Sequence, residues 1–289
     1  MITDKFGKKH FKLALHLHTT LSDGRKSPKE VAREYLANGY DAIALTDHWK
    51  YGEARTLCGM PIIAGCEYNV GRSETIEGEM HILALFTERD PAPRLEASRE
   101  EIVEAICSAG GIAVLAHPAW SVNSPEDLAR LPKIAATEIY NAVSESHMSM
   151  RPYSDYFVDL CANRGMYPGI LAADDAHYYD GTDNRLGWVM VEADDTSRES
   201  LMNAIRHRRF YATEGPYIHA ECDGRRLVID TSPVSVIATL SNRAWAPKRT
   251  LRGENLTHHE YELQSDEKWI RVEVRDKDGR RAWSNIFVI

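Results

Sequence analysis

Several protein classes are disfavoured by what this sequence lacks. Its five cysteines are odd in number, widely spaced and never arranged as Cys-x-x-Cys, so neither a disulfide framework nor a zinc ribbon is expected. No apolar run approaches the roughly 18 residues that a membrane span needs, and the N-terminal stretch has no secretory-signal pattern. We therefore expect a cytoplasmic protein that does not bind membranes.

Acidic residues also outnumber basic residues. The chain has 35 Lys and Arg against 43 Asp and Glu, a formal net charge of −8. Because nonspecific nucleic-acid binders rely on basic surface to displace counterions, we expect no nonspecific nucleic-acid binding.

Three common catalytic and nucleotide-binding motifs are absent from the sequence. There is no Gly-x-Ser-x-Gly elbow, no Gly-x-x-x-x-Gly-Lys loop and no Gly-x-Gly-x-x-Gly fingerprint, so no motif indicates a Ser or Cys nucleophile. The composition leaves the oligomeric state open.

Apolar runs rich in β-branched residues recur along the chain, and helical patterns separate several of them. In SPKEVAREYLANG, Ser27 is the expected N-cap, Pro28 the first helical residue and Glu30 the capping-box partner. We interpret the apolar runs as buried parallel strands, which predicts an α/β fold: a (β/α) barrel or, alternatively, an open doubly wound sheet. The runs span residues 11–18, 41–48, 61–67, 80–86, 111–118, 136–141, 169–177 and 188–194, and further helices are expected at 94–109, 150–164 and 197–208.

The pattern changes after residues 209–216. Helical periodicity stops, and short alternating segments with turn pairs such as Asp223-Gly224 follow, which is typical of an all-β structure. We therefore predict two domains: a barrel at residues 1–216 and a small β-sandwich-like domain at residues 217–289.

A histidine pair opens the strongest pattern in the sequence. In ALHLHTTLSDG, His16 and His18 are alternate residues of a predicted strand, so they share one face and lie about 6.5–7 Å apart. Alone, the pair is better explained as exposed or hydrogen-bonded core histidines. However, it belongs to a set of nine groups, seven of which end or follow a predicted strand, where α/β barrels carry their active sites. The nine are His16, His18, Asp23, His48, Glu67, His81, His117, Asp175 and His177.

Six imidazoles and three carboxylates exceed the needs of one ion. A catalytic zinc usually has three protein ligands and keeps a position open for water. We therefore expect two or three divalent ions that share a bridging carboxylate. A mixed imidazole and carboxylate set suits zinc, manganese or iron better than calcium, and the lack of cysteine ligands disfavours a structural zinc.

The motifs also carry a family resemblance. The stretches HLHTTLSDG, ALTDH, AGCE, EMHILAL, VLAHP and ADDAH follow one another between residues 15 and 177. Together they resemble the PHP (polymerase and histidinol phosphatase) family of metal-dependent phosphoesterases, which implies a distorted (β/α)7 TIM-like barrel with a trinuclear site. Beyond residue 177, RRFYATEGP and RAWSNIFVI are similar to stretches of PHP-related metallohydrolases with an appended β domain, a group that includes carbamate and amide-type hydrolases.

The resemblance further implies how three ions divide the nine residues. The sets are His16, His18, Glu67 and Asp175 for one ion; Glu67, His81 and His117 for a second; and Asp23, His48 and His177 for a third. Asp47 and Asp174 adjoin these residues and are expected to support the site rather than bind metal.

A phosphoesterase also needs cations for the substrate phosphate and a proton donor for the leaving group. Arg25, Arg72 and Arg185 lie near predicted strand ends and are candidates for phosphate binding, although each is also compatible with a solvated surface position. His147 is the candidate proton donor, with an ordinary loop histidine as the alternative. Asn141 is a further candidate for substrate contact.

We predict a metal-dependent phosphoesterase that hydrolyses a small phosphorylated substrate, a monoester or a phosphodiester such as a nucleotide-derived one. Attack by a metal-bridging hydroxide would require no protein nucleophile. Hydrolysis of a carbamate, ester or amide at the same site is the alternative. A third hypothesis is a non-catalytic, metal-bearing binding module.

Overall fold

The computed structural model describes residues 1–72 and 78–289. Within these ranges, no helix is both long and apolar enough to cross a lipid bilayer. The strands are β1 (Ile2–Thr3), β2 (Lys9–Ala14), β3 (Ala42–Ala44), β4 (Arg55–Leu57), β5 (Met60–Ile63), β6 (Gly65–Gly71), β7 (Glu79–Leu85), β8 (Ile112–Leu115), β9 (Ile134–Asn141), β10 (Gly169–Ala173), β11 (Trp188–Glu192), β12 (Phe210–Thr213), β13 (Ile218–Asp223), β14 (Arg226–Ser241), β15 (Thr250–Glu262), β16 (Trp269–Arg275), β17 (Arg281–Trp283) and β18 (Phe287–Val288). The helices are α1 (Pro28–Ala37), α2 (Arg99–Ser108), α3 (Pro125–Ala129), α4 (Asp155–Asn163) and α5 (Arg198–Arg206), and a π-helix spans Ser144–Ser149.

Local sequence determines where the helices begin. At α1 the carboxylate of Glu30 accepts the backbone N–H of Ser27 at 2.8 Å, which confirms the predicted capping box. The helix predicted over 94–109 begins later, because Ser98 caps α2 and forms a second capping box with Glu101. Helices α4 and α5 likewise occupy shorter ranges than predicted.

The strands form two sheets rather than one closed ring. The larger sheet has the order β13-β14-β16-β17-β12-β11-β2-β3-β5-β4, with β1, β15 and β18 attached to β2, β14 and β16. The smaller sheet has the order β10-β9-β8-β7-β6. The mixed α/β class is confirmed and the closed barrel is not. One reason is that β4 folds back as an antiparallel partner of β5 and takes the edge at which β6 would have to pair.

Isolated contacts nevertheless connect the two sheets around one core. Leu17 bridges Ala176 at one junction, and Gly52 bridges Gly65 at the other. A single buried apolar cluster contains residues of both sheets, including Leu13, Leu83, Leu171 and Val189. The loops at one end of this shared core therefore lie close to one another, although the strands around the core do not form a closed ring.

Strand directions differ from the expected parallel arrangement. Strand β7 is antiparallel to β6 and β8, and β11 is antiparallel to β2. The N-terminal end of β7 therefore lies beside the C-terminal end of β8, which brings His81 next to His117. Glu67 does not end a strand over 61–67 as predicted, because the chain leaves the larger sheet at Ala64 and Glu67 lies inside β6.

The C-terminal part is β-rich, as predicted, and continues the larger sheet. Strand β12 pairs with β11 on one side and with β17 on the other. The ring centroid of the buried Trp283 lies 6.2 Å from that of Tyr140, and the indole N–H of Trp269 donates to the side chain of Asn163 at 3.1 Å. These contacts join the two parts of the chain, and the division between residues 216 and 217 stays a prediction.

Candidate metal centre

Two histidines follow β2 on the irregular segment that continues it. Leu17, between them, bridges Ala176 and is buried in an apolar cluster, so side-chain alternation directs His16 and His18 to the other side together. Their Nε2 atoms lie 3.2 Å apart, and both side chains are inaccessible to solvent. The two ring nitrogens therefore face a common point.

Two carboxylates surround that point. The Nε2 atom of His16 lies 3.2 Å from Oε2 of Glu67 and 3.0 Å from Oδ1 of Asp175. The Nε2 atom of His18 lies 3.0 Å and 3.1 Å from the same two oxygens. All four donor atoms lie within 4.8 Å of one another. Ligands bound at about 2.0–2.2 Å from one ion have comparable separations, so this group can hold a metal ion.

The loop after His18 contributes to a second group. Asp23, His48 and His177 lie with His18 so that their donor atoms are within 4.8 Å of one another. The Oδ2 atom of Asp23 is 3.6 Å from Nε2 of His48 and 3.4 Å from Nε2 of His177. A Cβ atom on Gly24 would collide with the carbonyl of His18. Glycine is therefore required for this loop to fold back and bring Asp23 to the histidines.

Glu67 connects the groups. Its Oε1 atom lies 3.0 Å from Nδ1 of His81, its Oε2 atom lies 3.3 Å from Nδ1 of His48, and these three residues form a third close group. The family resemblance places His117 in this position instead of His48. The Nε2 atom of His117 lies 3.4 Å from Oε1 of Glu67 and 3.7 Å from Oδ2 of Asp175. All nine predicted ligands thus lie in one continuous set, called here the nine-residue cluster.

The cluster contains buried polar atoms without hydrogen-bond partners in the part of the chain that the structure describes. They are Oε2 of Glu67, Oδ1 of Asp175 and Nδ1 of His48. Burying an oxygen acceptor without a hydrogen bond is costly, and a bound cation would remove that cost. The nitrogen and oxygen donors also match the preferences of zinc, manganese and iron. The cluster is therefore able to bind metal.

The charged groups of the cluster act strongly on one another. Burial lowers the pKa of His16, but the neighbouring carboxylates, Asp175 first, outweigh it and raise the pKa well above its ordinary value. Burial raises the pKa of Glu67, but the surrounding histidines, His16 first, hold it well below its usual range. Burial lowers the pKa of His48 to about 4. A neutral His48 and an ionised Glu67 are the forms that bind metal.

Glu138 on β9 is a candidate site residue that sequence reasoning missed. Its Oε1 atom lies 2.7 Å from Nδ1 of His16, and its Oε2 atom accepts the backbone N–H of His117 at 2.9 Å and the amide of Asn141 at 2.8 Å. A carboxylate bound to the second nitrogen of an imidazole orients that ring toward a metal. The available signal was a Glu inside the apolar run 136–141, since a buried carboxylate needs a partner.

Two further carboxylates hold the backbone around the cluster, as expected. Asp47 accepts the backbone N–H of Thr19 at 2.7 Å and its hydroxyl at 2.8 Å. Asp174 accepts the backbone N–H groups of residues 185–187 at 2.7–2.8 Å, and burial raises its pKa to about 6. Both carboxylates thereby support the segments that carry cluster residues.

The backbone is strained at two cluster residues. His117 has a φ of 27° and Asp175 a φ of 53°, values that residues other than glycine seldom adopt. Such conformations persist when surrounding contacts enforce them, and they concentrate at functional sites. The fold therefore maintains unfavourable local geometry where the cluster forms.

Arg25 and His147 both contact the ring of Tyr178. The guanidinium of Arg25 lies 4.3 Å from the ring centroid of Tyr178, the residue after His177. The imidazole of His147 stacks on the same ring at 3.8 Å. The Nε2 atom of His147 lies 2.7 Å from the hydroxyl of Thr182. The structure thus brings one of the predicted phosphate-binding arginines and the predicted proton donor together on the ring of Tyr178.

The other two arginines have different surroundings. The guanidinium of Arg185 lies 3.3 Å from a carboxylate oxygen of Glu34 and donates to the side chain of Asn38 at 3.2 Å. These contacts tie it to α1 and its C-terminal cap rather than to the nine-residue cluster. Arg72 is exposed and directly follows β6.

The fold and the cluster define an α/β protein with a histidine and carboxylate site able to bind metal. The model of the PHP domain matches residues 14–168, more than half of the chain. The chain therefore belongs to the PHP domain family. A comparison with curated proteins finds no match.

Solved structures with related folds include proteins of different described activities. One is a two-domain protein from Bacteroides vulgatus that contains a predicted PHP-like metal-dependent phosphoesterase. It is 17% identical in sequence with a TM-score of 0.58, and the alignment covers 100% of this chain and 97% of the Bacteroides chain. An amidohydrolase from Chromobacterium violaceum is 20% identical with a TM-score of 0.44, covering 59% of this chain and 89% of its own. A lesion-specific endonuclease from Pyrococcus furiosus is 17% identical with a TM-score of 0.46, covering 68% of this chain and 56% of its own. The first of these likenesses shows that the fold is shared over the whole chain.

Proposed function

We propose that this protein is a metal-dependent hydrolase of a small phosphate monoester or phosphodiester. The nine-residue cluster would hold two or three divalent ions of zinc, manganese or iron. The main support is the convergence of six imidazoles and three carboxylates, in which the buried oxygens Oε2 of Glu67 and Oδ1 of Asp175 face neighbouring ring nitrogens without a hydrogen bond. A bound cation would satisfy both oxygens.

The bound ions would supply Lewis acidity, which neutralises phosphoryl charge and makes water a nucleophile at neutral pH. Arg25 would bind a phosphate oxygen, because its planar guanidinium donates two parallel hydrogen bonds and the ring of Tyr178 supports it by a cation–π contact. Since Nε2 of His147 is already close to Thr182, its Nδ1 atom would donate the proton to the leaving group. A phosphate-binding role of Arg25 would favour a phosphoester over a carbamate or amide.

We also propose that residues 1–216 form a barrel-like catalytic domain and residues 217–289 a β-sandwich-like domain. All nine cluster residues lie between positions 16 and 177. The C-terminal strands contribute none of them. Their proposed role is therefore structural support or ligand binding outside the metal centre.

Purification followed by elemental analysis and an activity panel tests the proposal. The panel contains phosphomonoesters, phosphodiesters and carbamates, each with and without Mn²⁺. We expect two or more ions per chain and metal-dependent release of phosphate or alcohol from a phosphoester. His16→Ala and Asp175→Ala should abolish both metal binding and activity, while His207→Ala, at the exposed end of α5, should change neither.

Two results would contradict the proposal in different ways. If His16→Ala and Asp175→Ala retain the metal content and activity of the unaltered protein, the cluster is not the metal centre. If the metal-loaded protein hydrolyses carbamates and no phosphoester, the site is a metallohydrolase site but the proposed substrate class is wrong.

A further inference from the structure

A cavity lined by none of the nine cluster residues lies on the outer face of the larger sheet, toward the N-terminal end of β2. Its volume is about 870 Å³, which is within the range of small-molecule sites. Its lining includes Lys12, Met190 and Tyr211, which are neighbours in register across β2, β11 and β12. Lys12 precedes His16 by four residues, so about 13 Å of extended chain separates this cavity from the nine-residue cluster.

Aromatic side chains from both parts of the chain form the cavity wall. Trp188 and Tyr211 come from the barrel-like part, and Tyr217 comes from the segment that leads into β13. The C-terminal strands complete the lining with residues that include the exposed Thr257 of β15. Aromatic walls of this kind bind flat, apolar ligands by stacking or edge contacts.

Most charged groups that line the cavity are already paired. The imidazole of His10 lies 3.1 Å from the carboxylate of Asp4. The carboxylate of Asp230 lies 2.5 Å from the ammonium of Lys5 and 3.0 Å from the ring of His258. Each of these carboxylates therefore already has an ammonium or imidazole partner.

Lys12 differs from these groups. Its ammonium lies 3.9 Å from the ring centroid of Tyr40 and 4.0 Å from that of Trp188. No carboxylate within residues 1–72 or 78–289 forms a salt bridge with it in the structure. Burial lowers the pKa of Lys12, with Asp174 and Asp41 only partly opposing the shift. A partly buried ammonium without a contacting anion is a position at which an anionic ligand gains a strong interaction.

We propose that this cavity binds a planar aromatic molecule that carries a single anionic group. The ring would lie against Trp188 and the neighbouring tyrosines, and the anionic group would contact the ammonium of Lys12. This site is separate from the metal centre and does not depend on its activity.

Isothermal titration calorimetry with three matched probes tests this inference on the full-length chain. The probes are 1-naphthoate, neutral 1-naphthylmethanol and cationic 1-naphthylmethylammonium, which share the same ring system. We expect 1-naphthoate to bind with one-to-one stoichiometry and at least about tenfold more tightly than the other two. Lys12→Met should remove that preference, and Lys29→Met on the exposed surface of α1 should retain it.

A second variant keeps the test decisive if Lys12→Met does not fold. Thr257→Trp changes an exposed residue at the cavity wall and should block 1-naphthoate while leaving the metal content of the protein unchanged. Equal affinity for the three probes, or unaltered 1-naphthoate binding by Thr257→Trp, would overturn the inference. Neither result would bear on the proposed hydrolase activity.

Discussion

The Oε1 atom of Glu138 lies 2.7 Å from the Nδ1 atom of His16, and both side chains are almost fully buried. This contact leaves Nε2 of His16 directed toward Glu67 and Asp175. A carboxylate at Nδ1 favours the tautomer with the proton on that nitrogen, so that the lone pair of Nε2 is free for a metal. The orientation of the first histidine in the cluster thus depends on a residue of β9.

We expect Glu138→Gln to lower metal affinity by about 10–100-fold, because the amide cannot replace the charge of the orienting carboxylate. The measurement is metal binding in competition with a coloured chelator. Glu267→Gln is the matched control, since Glu267 is also buried but accepts hydrogen bonds from Tyr261 in the C-terminal part. Equal affinities of the two variants would show that Glu138 does not orient a ligand.

Asp23→Asn should remove one ion per chain. Asp23 is half exposed and approaches His48 and His177 at the outer side of the cluster, while the group around His16 is buried. Losing one carboxylate ligand should weaken the outer ion and leave the inner one bound. Elemental analysis after desalting checks this, with the exposed Asp195→Asn as control. An unchanged metal-to-protein ratio would count against a separate outer ion.

Arg25→Gln should raise the KM for a phosphorylated substrate by about tenfold or more, because a charge-assisted hydrogen bond to phosphate is lost. Metal content should stay the same. Arg185→Gln serves as the comparison, since its guanidinium contacts Glu34 and Asn38 of the α1 region. Steady-state kinetics measures the KM of both variants. A larger increase in KM for Arg185→Gln than for Arg25→Gln would show that Arg185, and not Arg25, binds the substrate phosphate.

The stability of the protein should depend on pH through Glu214. Burial raises the pKa of Glu214 to about 7 from its ordinary 4.5, so the folded state binds the proton more tightly than the unfolded state. Raising the pH from 4.5 to 7 should therefore destabilise the protein relative to Glu214→Gln, by on the order of 2 kcal/mol. Urea unfolding of both proteins at pH 5 and pH 8 measures this difference. If the difference in unfolding free energy between the two proteins is the same at both pH values, the pKa of Glu214 is not raised in the folded state.

Trp283→Ala should destabilise the folded chain by about 3–5 kcal/mol, because it removes a large buried side chain and leaves a cavity. Trp283 is fully buried and packs near Tyr140 of β9. Trp245→Ala is the control, since that side chain is 70% exposed. Chemical unfolding gives both values. A small effect at Trp283 would show that the packing of its ring against β9 contributes little to the stability of the chain.

Local patterns in the sequence were sufficient for several features. The capping box of Ser27 and Glu30 involves neighbours in the chain, so its residue types alone predict the start of α1. The alternation of His16 and His18 predicts that their rings face one point, because successive side chains of extended backbone point to opposite sides. The nine residues grouped by such patterns do lie together, and their role as metal ligands stays a prediction.

Long-range pairing decided what the sequence could not predict. The direction of β7 depends on hydrogen bonds with β6 and β8, and the open edge between β5 and β6 depends on the return of β4. Glu138 and His16 are 122 positions apart, and no periodicity connects residues at that distance. The sequence by itself therefore determined which residue types meet at the cluster. Only the packing of the two sheets decided that the ring stays open and which carboxylate orients His16, because both follow from contacts between distant segments.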